Sequence, residues 1–327
     1  MAGLDGVARH EVVPGARAQL SGPAPDHLPA RLWGLLAALT LAWGVNWTAM
    51  KLALAEVPPW TFRSLCLGLG SAVLFLVLHL GGQKIPWPRG QWTRLWGLAL
   101  LNITGWNMLV AYGLTMIPSG RASILAYTMP ALAIPLSVWL LGERLTLAKA
   151  IGLALGLAAL ALLLGEAYAA IGAAPLGSLL VLGAAVSWAF GAVLQKKYPV
   201  AMAPGPYTAW IMLLGGVPIY IGAALLEDPR VLADVGAGAW FGTTYNVFIA
   251  FAFAHWAWIK LATSVSVTVF SLSILIIPPV AVLTGIAFLG ERPSLAEIAA
   301  LVLVLGSLGT VVVRPATVVT PTSGVSK

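Results

Sequence analysis

His255 lies inside a long apolar stretch, where an imidazole is costly unless it is paired or wetted. Tyr245, Ile249, Trp256 and Lys260 fall along the same helical side, with Asn246 adjacent. A ring that titrates near neutral pH could relay a proton there. A neutral imidazole bonded between two helices accounts for His255 equally well. Lys260 has a stem long enough to carry its charge out to the membrane surface.

Other spans repeat this mixture of flat rings and small polar groups. Trp43, Trp47 and Lys51 recur every four residues, with Asn46 on the flank. Trp47 fits a bilayer-interface anchor, whereas Trp43, deeper and beside Asn46, fits a cavity wall. Asn102 and Trp106 form an i,i+4 pair with Asn107 and Tyr112 nearby. Bonding between helices explains the two asparagines as well as substrate contact does. Ser123, Tyr127 and Pro130 share a stripe, and Pro130 frees a backbone carbonyl that a cavity-lining helix can offer as an acceptor. A plain kink is the alternative. Ser187, Trp188 and Gln195 occupy a further span. Ser264, Ser266, Thr268, Ser271 and Ser273 precede Pro278 and Pro279, and close helix packing accounts for these small hydroxyls. The Gly152-x-x-x-Gly156 pair has the same explanation.

The chemistry these residues suit is non-covalent: an apolar cavity with a few polar contacts holds a ligand with a flat ring and a polar end. Covalent chemistry has little support. There is no Gly-x-x-x-x-Gly-Lys phosphate cradle, no His-Glu-x-x-His metal motif and no Gly-x-Ser-x-Gly elbow. No cofactor or metal is expected. All eleven Asp and Glu lie in tails, turns or span ends, which argues against a carboxylate proton carrier at the bilayer centre.

Composition sets the frame for these residues. Of 327 residues 60% are hydrophobic and 9% charged, against about a quarter charged in a soluble domain. Long apolar runs make this an all-α membrane protein rather than a β-barrel. The net charge of +7 reflects loop Lys and Arg that orient the chain in the bilayer, and no nucleic-acid partner is expected. Cys66, the sole cysteine, excludes an intrachain disulfide. Spans are expected near 33–54, 59–80, 95–117, 120–141, 147–165, 175–195, 206–226, 238–260, 265–289 and 295–313. Residues 1–30 and 315–327 read as polar tails.

The spans come in two sets. Ser123, Pro130 and Leu141-Gly142-Glu143-Arg144 recur 148 positions on as Ser271, Pro278 and Leu289-Gly290-Glu291-Arg292. Trp43 and Lys51 recur 145 positions on as Trp188 and Lys196. The halves are then 31–166 and 174–314, five helices each, and an odd number turns the second copy upside down. With a cytoplasmic N-terminus, thirteen Lys and Arg fall on the cytoplasmic side and five (Lys51, Arg63, Arg121, Arg230, Arg292) outside, so both termini are expected in the cytoplasm. Glu143 and Glu291 then sit at water level on opposite faces, as caps and orientation charges.

Trp43-Gly44-x-Asn46, the duplication, and a proline-bearing span ending in Gly-Glu-Arg resemble the drug/metabolite transporter superfamily, EamA type, over residues 33–313. The resemblance implies a ten-helix bacterial inner-membrane carrier, two inverted five-helix repeats around a central cavity, moving small metabolites outward. Within the superfamily the chain is most similar to the aromatic amino-acid exporter branch. Expected cavity residues are Trp43, Asn46, Trp106, Asn107, Tyr112, Tyr127, Trp188, Tyr245, His255 and Trp256, with Pro130, Pro278 and Pro279 in gating helices. The expected partners are a small-molecule substrate and lipid, with the protein a monomer or weak homodimer. Drugs, nucleosides or other metabolites are the alternative cargo. A membrane-embedded enzyme or scaffold would need a reactive cluster or a large loop that the sequence lacks.

Overall fold

The computed structural model describes residues 30–169, 174–262 and 267–312, and side chains at 32–166, 176–261 and 276–310. The tails, and the hydroxyl side chains at 264, 266, 268, 271 and 273, lie outside the described residues. Every regular element among the described residues is a helix, with no strand. The helices are α1 (Ala30–Leu54), α2 (Pro59–Leu80), α3 (Trp92–Met116), α4 (Ser119–Leu141), α5 (Leu147–Ala169), α6 (Ala174–Lys197), α7 (Pro204–Leu226), α8 (237–262), α9 (Val267–Leu289) and α10 (Leu295–Val312). Seven of them, α1 to α7, contain stretches long and apolar enough to cross a bilayer; Ile276–Leu289 and Leu295–Thr310 are shorter apolar helices.

Local sequence explains where the helices start and stop. Pro59 and Pro204 open α2 and α7, where the missing N–H costs nothing. Gly142 and Gly290 end α4 and α9 at φ +66° and +65°, a conformation that penalises any Cβ. The following amides reach back to the helix, Glu143 N to Ser137 O at 3.3 Å and Glu291 N to Gly285 O at 3.1 Å. The two copies of the turn thus fold alike.

Hydrophobicity drives apolar helices into the membrane but not against one another, so close packing must hold the bundle. α1 packs on α9 and α8, and α6 packs on α4 and α3. α2 pairs with α7, α5 with α10, and the first part of α4 with α9. Small residues set these approaches. A Cβ on Gly44 would run into Val280 of α9, and one on Gly242 into the backbone of Ala49 in α1. Gly152 and Gly156 perform the expected packing role: Ser307 of α10 donates to Gly152 O at 2.6 Å, and Ala131 of α4 fills the space over Gly156.

Three helices depart from regular α geometry. α3 carries a π segment over Leu100–Gly105 and α8 one over Tyr245–Phe253. The two segments overlap when the second is shifted back by the 148-residue repeat. α4 breaks at Tyr127 and Thr128, just before Pro130, and Thr128 donates to the Leu125 carbonyl through both its amide, at 3.2 Å, and its Oγ1, at 2.7 Å.

Several expectations need correction. Trp47 is 4% exposed, so it packs in the core and is no interface anchor. Arg63 and Arg121, counted above among the external charges, are buried about one turn or less inside α2 and α4. Their helices begin at Pro59 and Ser119, early enough to carry both side chains into the bundle.

Candidate functional site

Two clusters of rings sit over the two π segments. In the first, Trp43 of α1 meets His255 of α8 edge-on, with ring centres 5.9 Å apart, and Trp258 at 5.1 Å. Phe251 stacks on His255 at 5.4 Å. The π winding releases the Ala250 carbonyl from the α ladder. Trp43 Nε1 donates to it at 3.3 Å, and His255 Nδ1 lies 3.0 Å from it. A carbonyl only accepts, so Nδ1 is the donor in this contact. Tyr245 ties the same helix pair together, its hydroxyl donating to Ala42 O at 3.0 Å. Asn46 lies one turn from Trp43, and its Oδ1 is buried and accepts no hydrogen bond among the described residues.

The second cluster is the first one's counterpart. Trp188 of α6 packs on Trp106 of α3 at 5.1 Å. Asn107 occupies the position equivalent to His255, and its Nδ2 donates to Ile103 O at 2.9 Å inside the π segment. Ser187 donates to Leu101 O at 2.8 Å, again a π-segment carbonyl. Asn102 lies against Gly191, and its Oδ1 also accepts nothing among the described residues.

The structure therefore brings Trp43 to His255 and Trp106 to Trp188, with Asn46, Asn107 and Tyr245 beside these pairs. It does not bring every expected residue there. Trp256 is 37% exposed and packs with Phe253, on the side of α8 that also exposes Phe248 and Ile249. Tyr112, half-buried, and Tyr127, buried at the α4 break, make no ring contact with either cluster among the described residues. Pro130 and Pro279 are half-buried and Pro278 is buried. Sequence reasoning missed Trp258, Phe251 and the Ala250 carbonyl. Trp258 follows His255 by one turn and was the available signal. Thr48 and Thr284 also escaped notice, although their hydroxyls bond at 2.8 Å between α1 and α9.

The two ends of the bundle differ. At one end Glu291 accepts from the first amides of α4, Ser119 N at 2.6 Å and Gly120 N at 3.0 Å. Beside it Lys51 donates to Leu114 O at 2.5 Å and Ile117 O at 2.9 Å, at the end of α3. A groove of about 580 Å³ at this end is lined by Lys51, Thr115, Ile117, Pro118, Leu289 and Glu291. So Glu291 does act as a cap, but on α4 rather than on a neighbouring turn of its own segment. At the far end of α4, Glu143 instead binds Lys149 at 2.6 Å and Lys196.

Hydrogen bonds from Lys149 and Lys196 pull the Glu143 carboxyl down to about 2. A depressed carboxyl stabilises the fold above its ordinary range near 4.5, and the contribution fades only as pH falls toward 2. Glu143→Gln is therefore expected to cost the same at pH 5 as at pH 8, on the order of 1 kcal/mol or less for a partly exposed pair. Thermal unfolding in detergent at both pH values checks this. A deficit that vanishes at pH 5 would contradict it.

Among the described residues no group of three His, Cys, Asp or Glu could hold a metal ion. A model described as the EamA-like transporter family matches residues 29–165 and again 175–313. The Bacillus subtilis (strain 168) protein named "Uncharacterized transporter YoaV" is 31% identical over 190 residues, 58% of this chain and 65% of the relative. The chain thus spans just under two thirds of YoaV. The Escherichia coli (strain K12) protein named "Uncharacterized inner membrane transporter YedA" is 28% identical over 269 residues, 81% of this chain and 85% of the relative. A solved crystal structure shares the fold with TM-score 0.60 at 23% identity, covering 87% of this chain and 97% of that one.

Proposed function

This chain belongs to the EamA-like transporter family and is an integral membrane transporter, and from that premise we propose a carrier for small neutral amphipathic metabolites, foremost aromatic and other hydrophobic amino acids. The observation that carries this reading is the matched pair of ring clusters, Trp43–His255 and Trp188–Trp106, each seated on a π segment. The clusters offer flat apolar faces next to amide oxygens and an imidazole, which suit a ring at one end of a ligand and an ammonium at the other. No bond is made or broken in such a cycle. The site is exposed to one side at a time.

In this reading the ten spans form two inverted five-helix repeats. The pairing of helices supports it, since replacing each helix by its counterpart in the other half leaves the principal pairs unchanged: α1 with α9 becomes α6 with α4. The lysines support it too. Lys51 ends α1 beside the N-terminus of α4, whereas its counterpart Lys196 ends α6 beside Glu143, past the C-terminus of α4. Matched helices that end at opposite ends of one rod point in opposite directions. The excess of Lys and Arg on the side assigned to the cytoplasm supports cytoplasmic termini in this reading. The proline-interrupted α4 and α9, together with α3 and α8, are the gating helices.

Purified protein in liposomes is expected to move labelled phenylalanine down its gradient, with tryptophan and tyrosine competing and aspartate not. Flux no greater than that of empty liposomes for every amino acid tested would remove the substrate assignment. A panel of nucleosides and drugs in the same vesicles decides the alternative cargo.

A further inference from the structure

The turns Gly142-Glu143 and Gly290-Glu291 are copies with the same left-handed glycine and the same backbone bond, yet their carboxylates do different things. We propose that Glu291 and Lys51 form a latch that holds their end of the bundle shut. The proposal rests on the alternating-access reading above.

The latch clamps one short turn from both sides. α3 ends at Met116 and α4 begins at Ser119, with Ile117 and Pro118 between them. A helix C-terminus exposes carbonyls with no donor, and an N-terminus exposes amides with no acceptor. Lys51 from α1 takes two of the carbonyls, and Glu291 from the α9–α10 turn takes two of the amides. Both contacts place the charge that the helix dipole favours at that end. Together they tie α3 and α4 to α1 and α9, so this turn cannot move without breaking charge-assisted hydrogen bonds.

The seat for Glu291 is built for it. A Cβ at Gly285 would run into the Glu291 carboxylate, and one at Gly120 would lie 3.5 Å from its Oε2. At the other end the residue equivalent to Gly285 is Ser137, and the equivalent carboxylate, Glu143, turns instead to Lys196 and Lys149. The same lysine–glutamate pair thus has two satisfied arrangements. In one, each charge caps a helix terminus; in the other, the charges bind one another. Neither arrangement leaves a charge unpaired, so exchange between them meets the requirement for a two-state element.

Thr48 of α1, 2% exposed and bonded to Thr284 of α9, lies one turn below Lys51 and reports whether this end is open. The experiment places Thr48→Cys in a Cys66→Ala background in proteoliposomes and measures labelling by a membrane-impermeant maleimide. Glu291→Gln and Lys51→Met are each expected to raise the labelling rate about ten-fold, by removing two charge-assisted bonds from the closed state. Glu143→Gln and Lys196→Met should leave it unchanged or lower it. No increase in Glu291→Gln, or an equal increase in Glu143→Gln, overturns the proposal. Amide exchange in the full chain, without the reporter, gives a second measurement. Exchange at Ser119 and Gly120 should rise in Glu291→Gln, while Trp60 and Thr61, capped by Glu227, stay protected. Unchanged exchange at 119 and 120, or a rise at all four amides, also overturns it. Neither assay needs a substrate, so a failed flux measurement and a failed latch are distinguishable.

Discussion

Trp43→Ala and Trp188→Ala are each expected to fold, insert and lose roughly 30-fold in phenylalanine flux at low substrate concentration. Each removes one ring from a cluster that, in the proposed site, closes over the ligand. A ring face in an apolar contact contributes about 2 kcal/mol, or about 30-fold in affinity. Trp43 also holds the Ala250 carbonyl through Nε1, together with His255. Trp43→Phe keeps a ring and loses that hydrogen bond, so it should fall only about five-fold, the worth of about 1 kcal/mol. The Trp256→Ala variant is the control, because that side chain lies on the exposed side of α8 with Phe253. It should transport within about two-fold of the parent. Initial rates in proteoliposomes, normalised to inserted protein, decide the matter. Full flux in both Trp43→Ala and Trp188→Ala would exclude the ring clusters as the site.

The contrast between Trp43 and Trp256 shows what sequence could and could not convey. Trp43 was legible because its repeat partner Trp188 stands the same distance before a lysine, so two copies vouched for one position. Gly142 and Gly290 were legible for a stronger reason: a helix that ends in a left-handed turn selects glycine, and the requirement survives duplication. Trp256 was misplaced because regular α spacing was extended through residues 245–260. The π segment over Tyr245–Phe253 adds to each turn and rotates everything beyond it. Tyr245, before the rotation, reaches α1; His255, after it, faces Trp43; Trp256 turns outward. Hydrophobic periodicity carries no sign of such a segment, because residues on both sides of it are apolar. The helix pairs follow from the duplication only in part. That five helices recur is readable from the spacing, but which one packs on which depends on glycine contacts such as Gly44 on Val280, distant in sequence.

Arg121 was misread for a related reason, and it supplies the largest expected effect on stability. Two residues into α4, it counted among the external orientation charges, yet it is 8% exposed and sits among three helices. Its Nη1 lies 3.4 Å from Glu166 Oε2 at the end of α5 and 3.7 Å from Glu297 Oε1 in the first turn of α10, and Nη2 donates to Leu163 O. Glu297 is itself held by Ser294 in a reciprocal cap, at 3.0 and 3.1 Å, and is 6% exposed. One guanidinium thus answers two carboxylates at a junction of α4, α5 and α10. Arg121→Met keeps the bulk and strips the charge, leaving Glu297 buried without its cation. Breaking such a cluster from one side costs about 3–5 kcal/mol, far more than the intact cluster contributes relative to an apolar replacement. The variant should unfold at markedly lower temperature in detergent or fail to accumulate. Adding Glu297→Gln to Arg121→Met should recover a large part of the loss, since the penalty lies in the unpaired charge rather than in the missing contacts. The two substitutions are in contact and must couple. If their costs simply add, the cluster is not held together by charge, and the burial of Arg121 reflects packing alone.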